Sequence, residues 1–260
     1  MFNYDFSATD LEYFLIILTR VGCFFYTAPF FGISNTPSRI KTGIAIYMSI
    51  LIYQFVVPHE RLVYSTILGY AILVIKEAAT GILMGFCMNI LSYVTQLAGQ
   101  LIDMDIGLSM VSVFDPVSRQ QTGFSGSMYQ YGMLLILIIS GLDHYVISAL
   151  VESFKRIPVG GAVFNWDRLL EVILKVIFDV MNLGFRIFLP IFAAMLLLNV
   201  VLGILAKVAP QMNMFTVGIQ IKILVGLTVV YLTIIMIPRL SEIVFDEMKV
   251  LITDVIEALG

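Results

Sequence analysis

The sequence predicts an all-α integral membrane protein, and three observations carry that prediction. Of its 260 residues, 60% are hydrophobic and 13% charged, with mean hydropathy +0.98. An ordinary soluble domain is about 45–50% apolar and about 25% charged. The apolar residues fall in runs of the length that crosses a bilayer, ~20 residues. Pro, Gly and short charged clusters separate the runs, as they do helix ends. Hydropathy divides the chain into about six hydrophobic helical segments.

The same numbers exclude some classes of function. Net charge is −3, so no basic surface is available for nucleic acid. Cys23 and Cys87 are the two cysteines, both inside apolar runs and not at C-x-x-C spacing. They read as small buried hydrophobes rather than a disulfide framework. The opening, MFNYDFSATDLEYF, carries Asp5, Asp10 and Glu12 but no Lys or Arg. A secretory signal starts positive and ends at small residues, so the first apolar run is expected to stay in the mature chain.

The segments follow in order. Residues 11–28 form the first, interrupted by Arg20 and stopped by Pro29, Gly32 and Pro37; Thr9-Asp10 suits its start. Arg39 and Lys41 open the second, 40–57, which Pro58 ends. Residues 62–97 run on longer than one span needs and are broken by Lys76-Glu77. Gly81 and Gly85 make a G-x-x-x-G step, which lets a neighbouring helix approach closely. Residues 128–139 and 146–151 are apolar around Ser140-Gly141-Leu142-Asp143-His144, and a Gly/Pro loop closes at Trp166. In 169–206, Glu171, Lys175, Asp179, Asn182 and Arg186 recur at spacings of four, four, three and four. That places them on one helix face with i,i+4 partners of opposite charge. The face is either solvated or set against another subunit. Pro190 is expected to kink or restart this helix. Residues 207–215 form a polar turn, 219–237 the last segment, ended by Pro238-Arg239, and 240–260 an amphipathic tail. Lys and Arg do not alternate clearly between loops, so no orientation follows from them.

One stretch fits neither span nor loop. Residues 96–121 read QLAGQLIDMDIGLSMVSVFDPVSRQQ. Three aspartates are too many for a lipid-bathed span. Met104, Ile106, Leu108, Met110, Val111, Val113 and Phe114 are too many apolar residues for a solvent loop. Such a segment lies against protein or lines a water-filled cavity.

No catalytic, metal or cofactor constellation competes for it. His59 and His144 stand apart, with no Cys or carboxylate cluster at ligand spacing. Asp103-Met104-Asp105-Ile106-Gly107 resembles the start of a calcium loop but lacks its closing acid. Gly123-Phe124-Ser125-Gly126 is one residue too short for a nucleophile elbow. There is no P-loop and no dinucleotide fingerprint. The sequence therefore does not read as an enzyme. Intramembrane charges at Arg20, Lys76, Glu77, Asp179, Arg186 and Lys222 raise an ion pathway as an alternative. Most of them fit helix ends or the polar stripe.

The residues resemble the FliR family, the export-gate component of flagellar type III secretion, with the SctT proteins as injectisome relatives. The resemblance covers roughly residues 8 to 255. Arg20, Ala28-Pro29-Phe30-Phe31-Gly32 and Pro37 are similar to the family's opening pattern. Lys76-Glu77, Gly81, Gly85, Gln96, Gly99-Gln100, Asp103, Gly107 and Asp115-Pro116 are similar to its central signature. Ala209-Pro210-Gln211-Met212-Asn213 with Phe215 and Gly218 is the most specific match. Ser140-Gly141-Leu142-Asp143-His144 departs from the family's usual Asn-Gly-His turn, and no role for His144 follows.

That resemblance implies bent helical hairpins packed in a multi-subunit export gate of the bacterial inner membrane and flagellar basal body. It implies a FliP-like portion over about 1–165 and a FliQ-like hairpin with its tail over about 166–260. The implied partners are FliP-like and FliQ-like subunits, FlhB-like and FlhA-like proteins, and unfolded flagellar export substrates. No cofactor is implied. The plug loop corresponds to about 107–119, where Gly107, Met110, Val111, Val113 and Phe114 would seal the pore. Gln96, Gln100, Asp103, Asp115, Pro210, Gln211 and Asn213 would anchor loops or pack. Glu171, Lys175, Asp179, Asn182 and Arg186 would face a subunit. The alternative is a self-contained ion or small-solute transporter. Such a protein should show paired broken helices in internal repeats, and no repeat is evident.

Overall fold

The computed structural model describes residues 8–29, 37–56, 64, 66–108, 123–211 and 213–260. Among these residues nine α-helices form and no strand does. They are α1 (Ala8–Thr27), α2 (Ser38–Phe55), α3 (Ile67–Met88), α4 (Ile90–Ile106), α5 (Phe124–Ile139), α6 (Leu142–Arg156), α7 (Trp166–Val208), α8 (Met214–Thr233) and α9 (Ile237–Leu259). A 3-10 turn, Ile234–Met236, joins α8 to α9.

The chain divides into two compact units. The first comprises residues 1–90, 141–176 and 246–260, the second residues 91–140 and 177–245. Helices α7 and α9 each contribute to both.

In the first unit α1 packs on α2 and α3. It buries Tyr13, Ile16, Ile17, Arg20, Val21 and Phe24, one stripe of a 3.6-residue period. Each such Ile or Phe contributes about 1.5–3 kcal/mol by leaving water. The G-x-x-x-G step brings α3 against α1. A Cβ on Gly81 would overlap the Arg20 carbonyl oxygen, and one on Gly85 the Thr27 hydroxyl. The tail helix α9 buries Met248, Leu251, Val255 and Leu259 on one face. Its end accepts Val163 N–H at the Leu259 carbonyl, 3.0 Å away.

In the second unit α4 buries Leu91, Val94, Ala98, Ile102 and Ile106, again three or four apart. Helix α5 buries Ser125, Tyr129, Met133 and Leu137. The two helices touch backbone to backbone at Gly99 and Gly126, where a Cβ on Gly99 would overlap the Gly126 Cα. Tyr129 reaches the Thr233 hydroxyl at the end of α8.

Three boundaries differ from the sequence reading. The run 62–97 is two helices, divided at Asn89, whose N–H bonds back to the Gly85 and Phe86 carbonyls. Lys76-Glu77 does not break it: Glu77 lies buried inside α3 because Arg20 neutralises it. Pro190 does not restart the helix: it lies within α7, whose 43 residues continue through it. Pro238 does not end a helix. It is the second residue of α9, where a missing N–H has no intrahelical partner to lose.

Among the described residues three stretches are long and apolar enough to cross a membrane: Ile67–Met88, Trp166–Val208 and Thr216–Leu259. The pair α5 and α6 makes a fourth if it acts as one span.

Candidate functional site

Residues 107–122 leave α4 and return to α5, and Asp103 fixes both ends. Its side chain is 4% exposed, on the buried face of α4. Both carboxylate oxygens lie 3.3 Å from the backbone nitrogen of Ser125, the second residue of α5. The N-cap of α5 is Gly123, which has no side chain to cap with. A helix start carries unpaired N–H groups and a partial positive charge. Asp103 supplies from α4 the acceptor that Gly123 cannot. A Cβ on Gly123 would overlap Asp103 Oδ2, so the glycine makes room for the cap. Burial pushes the Asp103 carboxyl up, and hydrogen bonds from Ser125 and Phe124 offset part of that rise.

The backbone of Asp103 serves the other end. Its carbonyl accepts the Gly107 N–H at 3.2 Å, shared with the Met104 carbonyl. Gly107 has φ +92°, the left-handed conformation that closes a helix and favours glycine. Asp105, two residues before Gly107, has one carboxylate oxygen buried without a hydrogen-bond partner.

Met110, Val111, Val113, Phe114 and Asp115 lie outside the described residues. Gln96 and Gln100 are exposed on α4, and no polar contact ties them to another described residue. They stand two turns and one turn back along α4 from Asp103, on its exposed side, away from the face that meets α5 at Gly99. Pro210 and Gln211 lie exposed in the turn between α7 and α8. Asn213 is the N-cap of α8 through its backbone only: its carbonyl accepts Val217 N–H at 3.1 Å, and its side chain caps nothing.

The polar stripe has a different pairing from the one its spacing implies. In the first unit Lys175 bonds Asp254 of α9, at 2.7 Å, not its own-helix neighbours Glu171 or Asp179. The cross-helix partner is closer because α9 packs alongside this part of α7. Together Arg168, Glu171, Val172, Lys175, Asp254 and Glu257 line an open groove of about 330 Å³. In the second unit Asn182 and Arg186 are exposed and Asp179 is half-buried. The stripe is thus continuous in sequence but serves two packing environments.

The most tightly organised charged site was not among the predicted ones. Arg20 of α1 and Glu77 of α3 form a bidentate ion pair with both side chains fully buried. The second of its two bonds, Nη2 to Oε1, is 2.9 Å. Arg20 Nη1 also donates to the carbonyls of Ser153, at 3.4 Å, and Ile157, at 3.0 Å, at the end of α6. The guanidinium lies 4.2 Å from the Phe154 ring centroid. Glu77 Oε1 accepts the Gly160 N–H at 2.8 Å. One pair therefore joins α1, α3, the C-terminus of α6 and the turn beyond it. The signal was present: two opposite charges, each set in an apolar run, must find each other or leave the membrane core.

Comparison with known proteins agrees with the resemblance in the sequence. The family described as "Bacterial export proteins, family 1" matches residues 11–248. The flagellar biosynthetic protein FliR of Aquifex aeolicus is 32% identical over 232 residues, 88% of each chain. That of Bacillus subtilis is 28% identical, covering 82% of each chain. That of Escherichia coli K12 is 28% identical, covering 93% of this chain and 92% of its own. With a match across most of its length, the chain belongs to bacterial export protein family 1, the family of the FliR flagellar export proteins.

Proposed function

We propose that this chain is a core subunit of the flagellar type III export gate, in which residues 107–119 plug the channel for unfolded flagellar proteins. A role in the flagellar export apparatus follows from the family. The finer assignment rests on one observation: Asp103 holds both ends of the 107–122 connection, one by its carbonyl and one by its carboxylate. A segment that must move within a pore needs fixed ends, or its displacement would be taken up by the helices instead. Gly107 at φ +92° supplies a backbone joint on the α4 side. Met110, Val111, Val113 and Phe114 give the segment an apolar content that closes a pore by dewetting. Met re-packs around irregular shapes, which suits a seal that must re-form after a chain has passed.

In this reading FliP-like and FliQ-like subunits complete the pore, and FlhB-like and FlhA-like proteins adjoin it in the bacterial inner membrane. Residues of about 1–165 play the FliP-like part and about 166–260 the FliQ-like hairpin. Gln96, Gln100, Asp115, Pro210, Gln211 and Asn213 serve loop packing, and the stripe from Glu171 to Arg186 faces a neighbouring subunit. Nothing in the sequence hydrolyses ATP, so transport is driven from outside the chain.

The test is replacement of residues 107–114 by a Gly/Ser linker in cells that carry the whole export apparatus. Ion leak should rise while FliP-like and FliQ-like partners still co-purify. Unchanged leak and unchanged export would remove the plug assignment. Solute uptake by the purified chain alone, in vesicles, would favour the transporter reading instead.

A further inference from the structure

Helix α8 carries a lysine on its inward face. Gly218, Gly226 and Val230 lie buried along one side of α8, eight and four residues apart, and Lys222 fills the gap in that series, half-buried. It belongs to a stretch long and apolar enough to cross a membrane. Among the described residues its ammonium makes no hydrogen bond and no ion pair. A charge so placed is costly, and it marks either a partner or a function.

Helix α4 presents the partner. Gly226 brings the two helices together: a Cβ there would lie 2.5 Å from Ile106 Cγ1. Lys222 stands one turn from Gly226, and Asp105 adjoins Ile106. Asp105 Oδ2 is buried without a hydrogen-bond partner. Lys222 is the one charged group among the described residues that acts on this carboxylate. An unsatisfied cation and an unsatisfied anion thus share one packing seam. The lysine stem is flexible over four carbons, and a single water can bridge what distance remains.

The place of Asp105 on α4 gives the pair its consequence. Asp103 and Asp105 are two residues apart, about 200° round the helix, so their side chains leave α4 on opposite sides. Asp103 reaches the first turn of α5, and Asp105 turns toward α8. Two carboxylates therefore hold the last turn of α4 from two directions, just before the left-handed joint at Gly107.

We propose that Lys222 is a positioning residue for the export gate: through the Asp105 carboxylate it holds the last turn of α4 against α8, and so fixes the joint from which residues 107–119 extend. The proposal rests on the plug reading of that segment, and the experiment separates the two. Cells that carry the whole export apparatus receive Lys222→Met, Lys222→Arg, Asp105→Lys, Lys222→Asp or the double reversal Asp105→Lys with Lys222→Asp, beside the linker replacement of 107–114. Ion leak is measured in each, and hydrogen exchange at Ile106 and Gly107 in the apparatus purified from them. Lys222→Met and each single reversal should raise leak severalfold, toward the level of the linker variant. Exchange should accelerate about tenfold, the scale of one hydrogen bond to a charged group. Lys222→Arg and the double reversal should return both quantities to the parent's values, which a loss of packing alone would not do. Parental leak in Lys222→Met beside a leaking linker variant overturns the positioning role and leaves the plug. A double reversal as leaky as the singles overturns Asp105 as the partner. Parental leak in the linker variant removes the plug reading instead; exchange then still decides the pair, and unchanged exchange in Lys222→Met overturns it.

Discussion

Replacing Arg20 by methionine keeps much of the length and packing of the side chain but strands the Glu77 carboxylate. Both partners are fully buried, so no water can take over. Breaking a buried pair by removing one member costs about 3–5 kcal/mol, because the remaining charge is uncompensated. Replacing both residues by methionine removes that charge. What is then lost is the set of neutral contacts: Gly160 N–H loses its acceptor, and the Ser153 and Ile157 carbonyls lose a donor. At about 1 kcal/mol for each net hydrogen bond, the double variant should cost roughly 1–3 kcal/mol. The coupling between the two positions should therefore be at least about 3 kcal/mol, the upper end seen for contacting residues. Thermal survival of the monodisperse chain in mild detergent, followed by size-exclusion chromatography, ranks the parent, the two single variants and the double. The expected order places Arg20→Met lowest, the double variant between it and the parent. A double variant as damaged as the sum of the singles would refute the buried-charge account, and the pair would then be only a packing element.

Three further outcomes follow from the α4–α5 junction and from α3. Gly123→Ala should displace Asp103 and cost about 1–2 kcal/mol, the scale of a lost cap; hydrogen exchange in the first turn of α5 should accelerate, while α8 stays protected. Asp103 has a folded pKa raised by burial, so the folded state holds its proton more tightly than the unfolded chain. Stability is then full below the ordinary carboxylate value, falls as pH rises through the folded pKa, and levels off above it; Asp103→Asn should abolish that acid-side slope in a pH series of thermal midpoints. Gly81→Ala places a Cβ against the Arg20 carbonyl, and such overpacking costs about 1–3 kcal/mol; a thermal midpoint equal to the parent's would contradict the close α1–α3 approach.

Much of the fold was legible because helix packing writes itself in local spacing. The Gly81 and Gly85 step, the amphipathic tail and the runs of α1 and α7 all repeat at three or four residues, and tertiary structure only had to use them. Boundaries were less legible where one element depends on another. Glu77 looks like a helix break until Arg20, 57 positions away in sequence, neutralises it. Lys175 looks bound to its own helix until Asp254 arrives, 79 positions away. Asp103 entered as an anchor through the family resemblance alone, and its contact with the start of α5 depends on Gly123 lacking a side chain. Gln96 and Gln100 share its motif but not its face: they are exposed, whereas Asp103 lies with Gly99 on the face that meets the start of α5, and a motif read along one helix does not show which face the next one covers.

Helix α7 decides how much of the chain a bilayer can hold. At 1.5 Å per residue its 43 residues run for roughly 65 Å, more than twice a hydrocarbon core of about 30 Å. The two halves are not equivalent. Glu171, Lys175, Asp179 and Arg186 all precede Pro190, and Asn199 is the single strongly polar residue between Pro190 and Lys207. A charge at the centre of a span costs about 2.5–3.5 kcal/mol on insertion scales, so four of them cost on the order of 10 kcal/mol if the first half is sunk in lipid. The second half has no such cost, and Leu196, Leu197, Val200, Val201 and Ile204 stand exposed along it as lipid-facing residues do. The first half also exposes apolar residues, Leu170, Leu174, Phe178 and Phe185 among them. An exposed apolar face beside a charged one suits neither water nor hydrocarbon alone, and this is the physical ground for the subunit contact proposed for the stripe.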